Sequence, residues 1–350
     1  MADQSYLFAG VAGYVGRPDA EGDVGVYRRA LANGDWQHVL PELETFSVHV
    51  HAGDPSVVLA GTEDGVWRST DHGATFERTN FPDAGRQIWS FLVDRRDDSR
   101  IYAGASPIAI YRSDDRGASW RKLPDVEVAE HCKVIFDARV MRMVQHPTRP
   151  DEIYAALEVN GVIRTTDGGE TWEDCSAHLI ELSEQEHLKS KIVSDTFAEG
   201  MLDVHAITIC PDKPDDVILA LRMGLFRSAD QGKTWQDMEM SRFSPTTYGR
   251  DVKVSPQESK TLYSALSVAA ASEDGGVYRS TDAGESWSRF DKVQVHGTIM
   301  SIALHPQDAD QVYIGARYKG EIFGTADGGA SWSEMPLPGQ VKDIYSLSCG

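Results

Sequence analysis

Asp203 and His205 stand two residues apart in the run LDVHAITI at 202–209. In an extended strand, residues i and i+2 share a face, so this carboxylate and this imidazole would point the same way. A histidine beside a carboxylate can take or give a proton, with its tautomer set by the neighbour. His205 is therefore the candidate general base or acid, Asp203 its orienting partner and Tyr248 a candidate proton donor. The plain alternative is a hydrogen-bonded histidine packed between sheets. A second group is cationic. Arg86, Arg139, Arg142, Arg222, Arg250 and Arg317 recur at the starts of similar apolar segments or in the loops beside them, together with His296 and Trp89. Planar guanidinium groups favour two-pronged contacts with carboxylate or phosphate. Arg139, Arg142, Arg222 and Arg250 are the main candidates for holding a small anionic ligand, a carboxylate above all. The alternative is a structural network in which they pair with Asp203, Asp251 and Asp343. Glu44, Glu63, Glu158, Tyr318 and Lys319 fall in the same set of positions.

No cofactor motif is present. His131, His187, His205 and His296 fall on the same side as these groups and leave room for a divalent metal, although no two of them have ligand spacing. His49 and His51 do have HxH spacing in VHVHAGD, but run toward the other face.

What must position these residues is a repeat. Gly276–Phe290 reads GVYRSTDAGESWSRF, and five relatives open at Gly65, Ala109, Gly161, Gly224 and Glu321. Their common core is [ST]-x-D-x-G-x-[ST]-[WF], without gaps. Alternating apolar residues lead in as a strand. The Asp can accept backbone N–H bonds and hold a tight turn, the Gly supplies a positive φ, and the aromatic packs as the next strand begins. Each copy is thus a stapled hairpin that cannot bury its own faces, which marks a repeat architecture.

The box resembles the Asp-box, or BNR repeat, of sialidase-like propellers, found also in xyloglucanases, sortilin-type receptor domains and a photosystem II assembly factor. The resemblance implies an all-β propeller and makes the box residues scaffold. Spread over blades of roughly 40–50 residues, the chain of 350 residues gives seven four-stranded antiparallel sheets in a single domain. YLFAG at 6–10 matches the second strand of later blades, so the first blade lacks its inner strand. Val341–Cys349 is expected to supply it and close the ring, which removes exposed sheet edges. Inner strands are expected at Phe46–His51, Ile88–Val93, Val140–His146, Val204–Cys210, Arg250–Ser255 and Ile299–His305. Long connections at 123–138 and 175–202 and an insertion at 269–275 precede or flank inner strands and should rise over one mouth of the channel. A short helix is expected at Ser183–Ile192, where Ser183 and Glu186 form a capping-box pattern. His146 and His305, in His-Pro turns, should lie at the opposite face.

Composition bounds the function. A net charge of −20, from 34 basic and 54 acidic residues, disfavours nucleic-acid and anionic-membrane partners. Four scattered cysteines without CxxC spacing, and an opening MADQSYLFAG without a basic, then apolar, leader, lead one to expect a reducing cytoplasmic setting. The expected function is a hydrolase or lyase acting on a small anionic or sugar-like molecule at the channel mouth. A non-catalytic protein-binding scaffold and an Asp-box glycoside hydrolase are the alternatives. Sialidase chemistry is disfavoured: no Arg-Ile-Pro motif occurs, and sialidases have six blades. Xyloglucanases carry paired acids across a cleft between two propellers, which one ring cannot form.

Overall fold

Each box closes its hairpin as its residue types dictate. Ser69 Oγ donates to Asp71 Oδ1 at 2.7 Å, Gly73 N donates to Ser69 Oγ at 2.8 Å, and Asp71 accepts from Thr75 N and Oγ1 at 2.9 and 2.7 Å. The same set recurs around Asp115, Asp167, Asp230, Asp282 and Asp327. Burial works against the charge of Asp71, Asp167 and Asp282, but these hydrogen bonds outweigh it and hold each carboxyl at about 2. Asp327, held first by the Ser331 hydroxyl, sits at the same value. The box glycines also dock the blades. Gly73 has φ 71°, and a Cβ there would lie 2.3 Å from Phe8 Cε1 in the preceding sheet.

A computed structural model describes residues 5–13, 19–32, 34–317 and 320–350. Tyr318 and Lys319 lie outside the described residues, as does part of the early loop VGRPDAEG. Seven four-stranded sheets form, each antiparallel. Blade one runs Asp343–Cys349, Tyr6–Ala12, Gly25–Ala30, Gln37–Pro41, so the last strand completes the first blade as expected. Tyr6 N donates to Gly350 O at 2.8 Å and Gly350 N to Tyr6 O at 3.1 Å. The other inner strands are Thr45–Val50, Gln87–Val93, Arg139–Gln145, Val204–Ile209, Tyr248–Val254 and Ile299–Leu304. Apolar side chains between sheets make the core, blade against blade. No helix among the described residues is long and apolar enough to cross a membrane.

Every inner strand carries a β-bulge near its start. The pairing register skips one residue in each, leaving Phe46, Trp89, Met141, His205, Arg250, Met300 and Tyr345 as the extra residues. A bulge re-aims its extra side chain. Five of the seven, with Ala12, form one buried apolar cluster. Phe46 stacks on Trp89 at 4.3 Å, and Tyr345 meets both rings edge-on. This cluster plugs the channel. The polar exceptions, His205 and Arg250, come from neighbouring blades five and six.

The next residue along stitches adjacent blades. Ser47 Oγ donates to Ile88 O and Ser90 Oγ to Val140 O, while Ser301 Oγ accepts Leu347 N and Ser346 Oγ accepts Val48 N. Asp251 Oδ2 does the same for Ile302 N at 2.8 Å.

The inserted helix differs from expectation. An α-helix spans Ala177–Leu182 and a 3-10 turn Glu186–Leu188. Ser183 ends the helix rather than starting it, and its hydroxyl donates back to Ile180 O at 2.6 Å. Here the carbonyls left open by the helix end capture the serine, so the capping-box spacing goes unused. His146 Nδ1 accepts from Thr148 N and Arg149 N, and His305 Nδ1 from Gln307 N, so both serve their turns.

Candidate functional site at the channel mouth

Above the plug lies a cavity of about 530 Å³. All three inserted stretches reach it. Phe136 comes from 123–138, Ile192 and Val193 from 175–202, and Ala269 to Ala271 from the blade-six insertion. Ile135, Ile192, Val193 and Val268 give it an exposed apolar rim. Its floor is charged: Arg139, Arg222, Arg250 and Arg317 face Glu158, Asp203 and Tyr248 there.

Asp203 is the hub. It caps the short helix Glu199–Leu202, one residue before the blade-five inner strand. The pair with His205 therefore forms at a helix-to-strand corner next to a bulge, and not along a regular strand. Arg222 grips Asp203 Oδ2 through Nη2 at 2.7 Å and Nε at 3.0 Å, and reaches Glu199 Oε1 at 3.4 Å. Burial alone would raise the Asp203 pKa, yet His205 and Arg222 pull it well below the usual carboxylate range.

His205 is 1% exposed. Its Nδ1 lies 2.7 Å from Gly249 O, an acceptor only, so Nδ1 carries the proton. Nε2 then faces Asp203 Oδ2 at 3.3 Å and the Tyr248 hydroxyl at 3.3 Å. In the neutral ring Nε2 accepts from Tyr248; once protonated, it pairs with Asp203. Tyr248 and Asp203 line the cavity, and His205 stands behind them. Burial pushes the Tyr248 hydroxyl up to about 12, so it is a neutral donor near pH 7.

The arginines divide. Arg139 Nη1 meets Glu158 Oε2 at 3.0 Å, and its guanidinium lies 4.2 Å over Trp89 and 4.6 Å over Phe136. Arg250 is 6% exposed and its Nη1 is 3.8 Å from Glu158 Oε1. Burial opposes the Arg250 charge, but Tyr248, Glu158 and Asp203 together raise its pKa. Arg317 donates to Ala270 O at 2.8 Å and lies 5.3 Å over the Tyr345 ring. So the arginines do join a carboxylate network, with Glu158, Glu199 and Asp203 as the partners. Asp251 is spent on the Ile302 amide.

Four expected members are elsewhere. Arg142 follows the bulged Met141, so it turns below the plug. It donates to Met141 O at 2.7 Å and lines a separate cavity of about 480 Å³ at the other end of the channel. Burial lowers its pKa. Arg86 contacts Pro107 O at 3.3 Å and Asp83 at 3.9 Å, outside the cup. His296 is half-exposed and pairs with Glu321 at 3.5 Å. Trp89 belongs to the plug beneath the floor. Sequence reading missed Glu199, which opens a short helix inside the long 175–202 connection, where there is no periodic signal. The aligned position of Phe46, Trp89 and Met141 in successive inner strands was the available signal for the bulge ring.

One oxygen or nitrogen each from Glu158, Asp203 and His205 lies within 4.8 Å of the others. That spacing would suit a cation, but Arg139, Arg222 and Arg250 already crowd the two carboxylates.

Comparison with known proteins fits this architecture. The family model Sortilin-Vps10, described as sortilin, neurotensin receptor 3, matches residues 64–172 and 275–349, just over half of the chain. Xyloglucanase Xgh74A of Acetivibrio thermocellus is 24% identical over 229 residues, covering 58% of this chain and 26% of its own. The chain spans about a quarter of the length of the curated relatives it matches. Among solved structures, the GH74 enzyme of Niastella koreensis superposes with a TM-score of 0.61 at 13% identity, over 84% of this chain and 45% of that one. YCF48 from Cyanidioschyzon merolae superposes at 0.59 with 15% identity, over 89% and 92%. The molecule is thus a propeller of the kind glycoside hydrolases use, and by its sequence the chain belongs to the Sortilin-Vps10 family of BNR-type propellers.

Proposed function

We propose that the mouth cavity is the reaction site of a hydrolase or lyase for a small carboxylate-bearing or sugar-like molecule. The observation that carries this reading is the break in the bulge ring. Five blades send apolar groups to the axis, whereas blades five and six send His205 and Arg250, beneath a cavity of small-ligand size. Arg250, with Arg139 and Arg317 beside it, is the anion-binding element, and their charge is focused by low-dielectric walls. The Tyr248 hydroxyl is the group that exchanges a proton with the ligand. His205 takes that proton on Nε2, where the new imidazolium lies 3.3 Å from Asp203. Asp203 thereby stabilises the charge that forms, and Gly249 O fixes the ring. No metal is needed, since a dication would compete with three guanidinium groups for the same oxygens.

A second reading rests on the apolar rim. Ile192 and Val268 are 67% and 62% exposed, and such a collar also suits a protein partner held without chemistry. Calorimetric titration with small sugar acids separates the two. Binding to the wild type that falls at least tenfold in Arg250→Ala supports the first reading. Equal affinity in both proteins, or none in either, removes it.

A further inference from the structure

Resting on that reading of the mouth, we infer that the reaction is a β-elimination and that the substrate class is 1,4-linked uronate saccharides. The argument begins with the carboxylates. Glycoside hydrolysis by two carboxyl groups needs one of them protonated as the acid, at a separation of roughly 5 to 9.5 Å. Here the carboxylates nearest the cavity floor, Glu158 and Asp203, approach within 4.8 Å. Asp203 is held ionised by Arg222, and Glu158 sits between Arg139 and Arg250. Both carboxylates are thus engaged by guanidinium groups rather than presented to a leaving group. The proton-exchanging group that does face the cavity is Tyr248, backed by His205.

That set matches elimination beside a carboxylate. Guanidinium groups on the carboxylate lower its repulsion of a developing carbanion and so acidify the adjacent C–H bond. Tyr248 passes its proton to His205 Nε2, and the phenolate takes the proton from C5. The C–H electron pair becomes the C4–C5 double bond as the C4–O bond breaks. Tyr248 gives the proton to the departing oxygen and recovers its own from His205. No water, oxidant or reductant is consumed, and the two fragments sum to the mass of the substrate. A single side chain that is first base and then acid reaches one face of the sugar ring. C5–H and C4–O must therefore lie on the same face, as in gluco- and manno-configured uronates and not in galacturonate. Tyr248 is the catalytic residue; His205, behind it, is a positioning residue.

The test uses the whole chain with purified oligosaccharides of 1,4-linked glucuronate, mannuronate and galacturonate in water enriched in heavy oxygen. Binding is read by calorimetry and products by ultraviolet absorbance and mass. The expected result is glucuronate or mannuronate cleavage, a conjugated double bond, and no heavy oxygen in either fragment. Tyr248→Phe should bind within about threefold of wild type while turnover falls at least ~100-fold. His205→Gln should retain binding and move the onset of turnover to higher pH, because the hydroxyl must then ionise without a partner. Binding followed by heavy-oxygen incorporation would overturn elimination while leaving the mouth as a reaction site. Binding without turnover would overturn it in favour of the non-catalytic reading. Cleavage of galacturonate alone would overturn the single-tyrosine mechanism. Absence of binding to all three would overturn both this inference and the reading it rests on.

Discussion

Replacing Trp89 with alanine removes the largest ring from the channel plug. Trp89 is 2% exposed, stacks on Phe46 at 4.3 Å and 18°, meets Tyr345 at 5.5 Å edge-on, and supports the Arg139 guanidinium at 4.2 Å. Truncating a buried tryptophan costs about 3–5 kcal/mol, including the cavity left behind. The plug residues come from five separate sheets of a closed ring and cannot collapse into the gap, so a value of about 4 kcal/mol is appropriate. Unfolding entropy of about 2.1 cal/mol/K per residue gives roughly 0.7 kcal/mol/K for this chain. The melting temperature should then fall by about 5–6 °C. Trp89→Phe keeps a stacked ring and should lose about half as much. Differential scanning calorimetry at neutral pH measures both. A fall of less than about 2 °C in the alanine variant would show that the axis is not a packed core and that the plug was misread.

Acid should loosen the outer hairpins. Asp71, Asp167, Asp282 and Asp327 are held at about 2, against an ordinary 3.8. A carboxyl depressed in the folded state contributes stability that is complete above its unfolded value and is lost as pH falls through the folded one. Melting temperature followed by circular dichroism should therefore drop between about pH 4 and pH 2, and a flat profile across that window would contradict the staple. Gly329 has φ 94°, and a Cβ there would lie 2.2 Å from Phe290 Cε1. Gly329→Ala should cost about 2 kcal/mol or more in a denaturant titration, whereas Gly339→Ala, with φ 72° and open space around it, should cost no more than about 1; equal losses would show that packing is not the cause. Asp203→Asn leaves Arg222 with Glu199 alone at 3.4 Å and should lower stability by about 3 kcal/mol. An unchanged denaturation midpoint would mean that the pair contributes nothing net.

The sequence carried the scaffold because each repeat states its own geometry. The ungapped box gives the turn, the alternation gives the strands, and YLFAG without a preceding strand shows that blade one must be completed from elsewhere. The inner strands begin within about two residues of expectation for this reason. The cup was legible in part. Arg139, Arg222, Arg250 and Arg317 share a floor because two lie near the starts of the inner strands of blades four and six and two directly follow the second strands of blades five and seven, which all meet at the same mouth. Arg142 does not, because the bulge at Met141 adds half a strand period that alternation cannot show. The role of His205 shifts for the same reason: the bulge sets it behind Tyr248, so proximity in sequence to Asp203 predicted contact but not which group faces the cavity. Glu199 and the short helix end were hidden in a loop whose fold is decided by long-range packing. Ser183 shows the same limit locally, since a capping pattern cannot announce which end of a helix it will serve.

The repeated register skip has an evolutionary corollary. Because the backbone itself presents one side chain per blade to the axis, the identity of that residue can change without any strand being moved. Met141 and Met300, unbranched and adaptable, are the simplest places for a new polar group to enter, one sheet away from Arg250 or His205 in either direction around the ring. A lineage of such rings can therefore rewrite its reactivity by point substitution at fixed addresses, while the hairpin staples at the rim hold the frame constant.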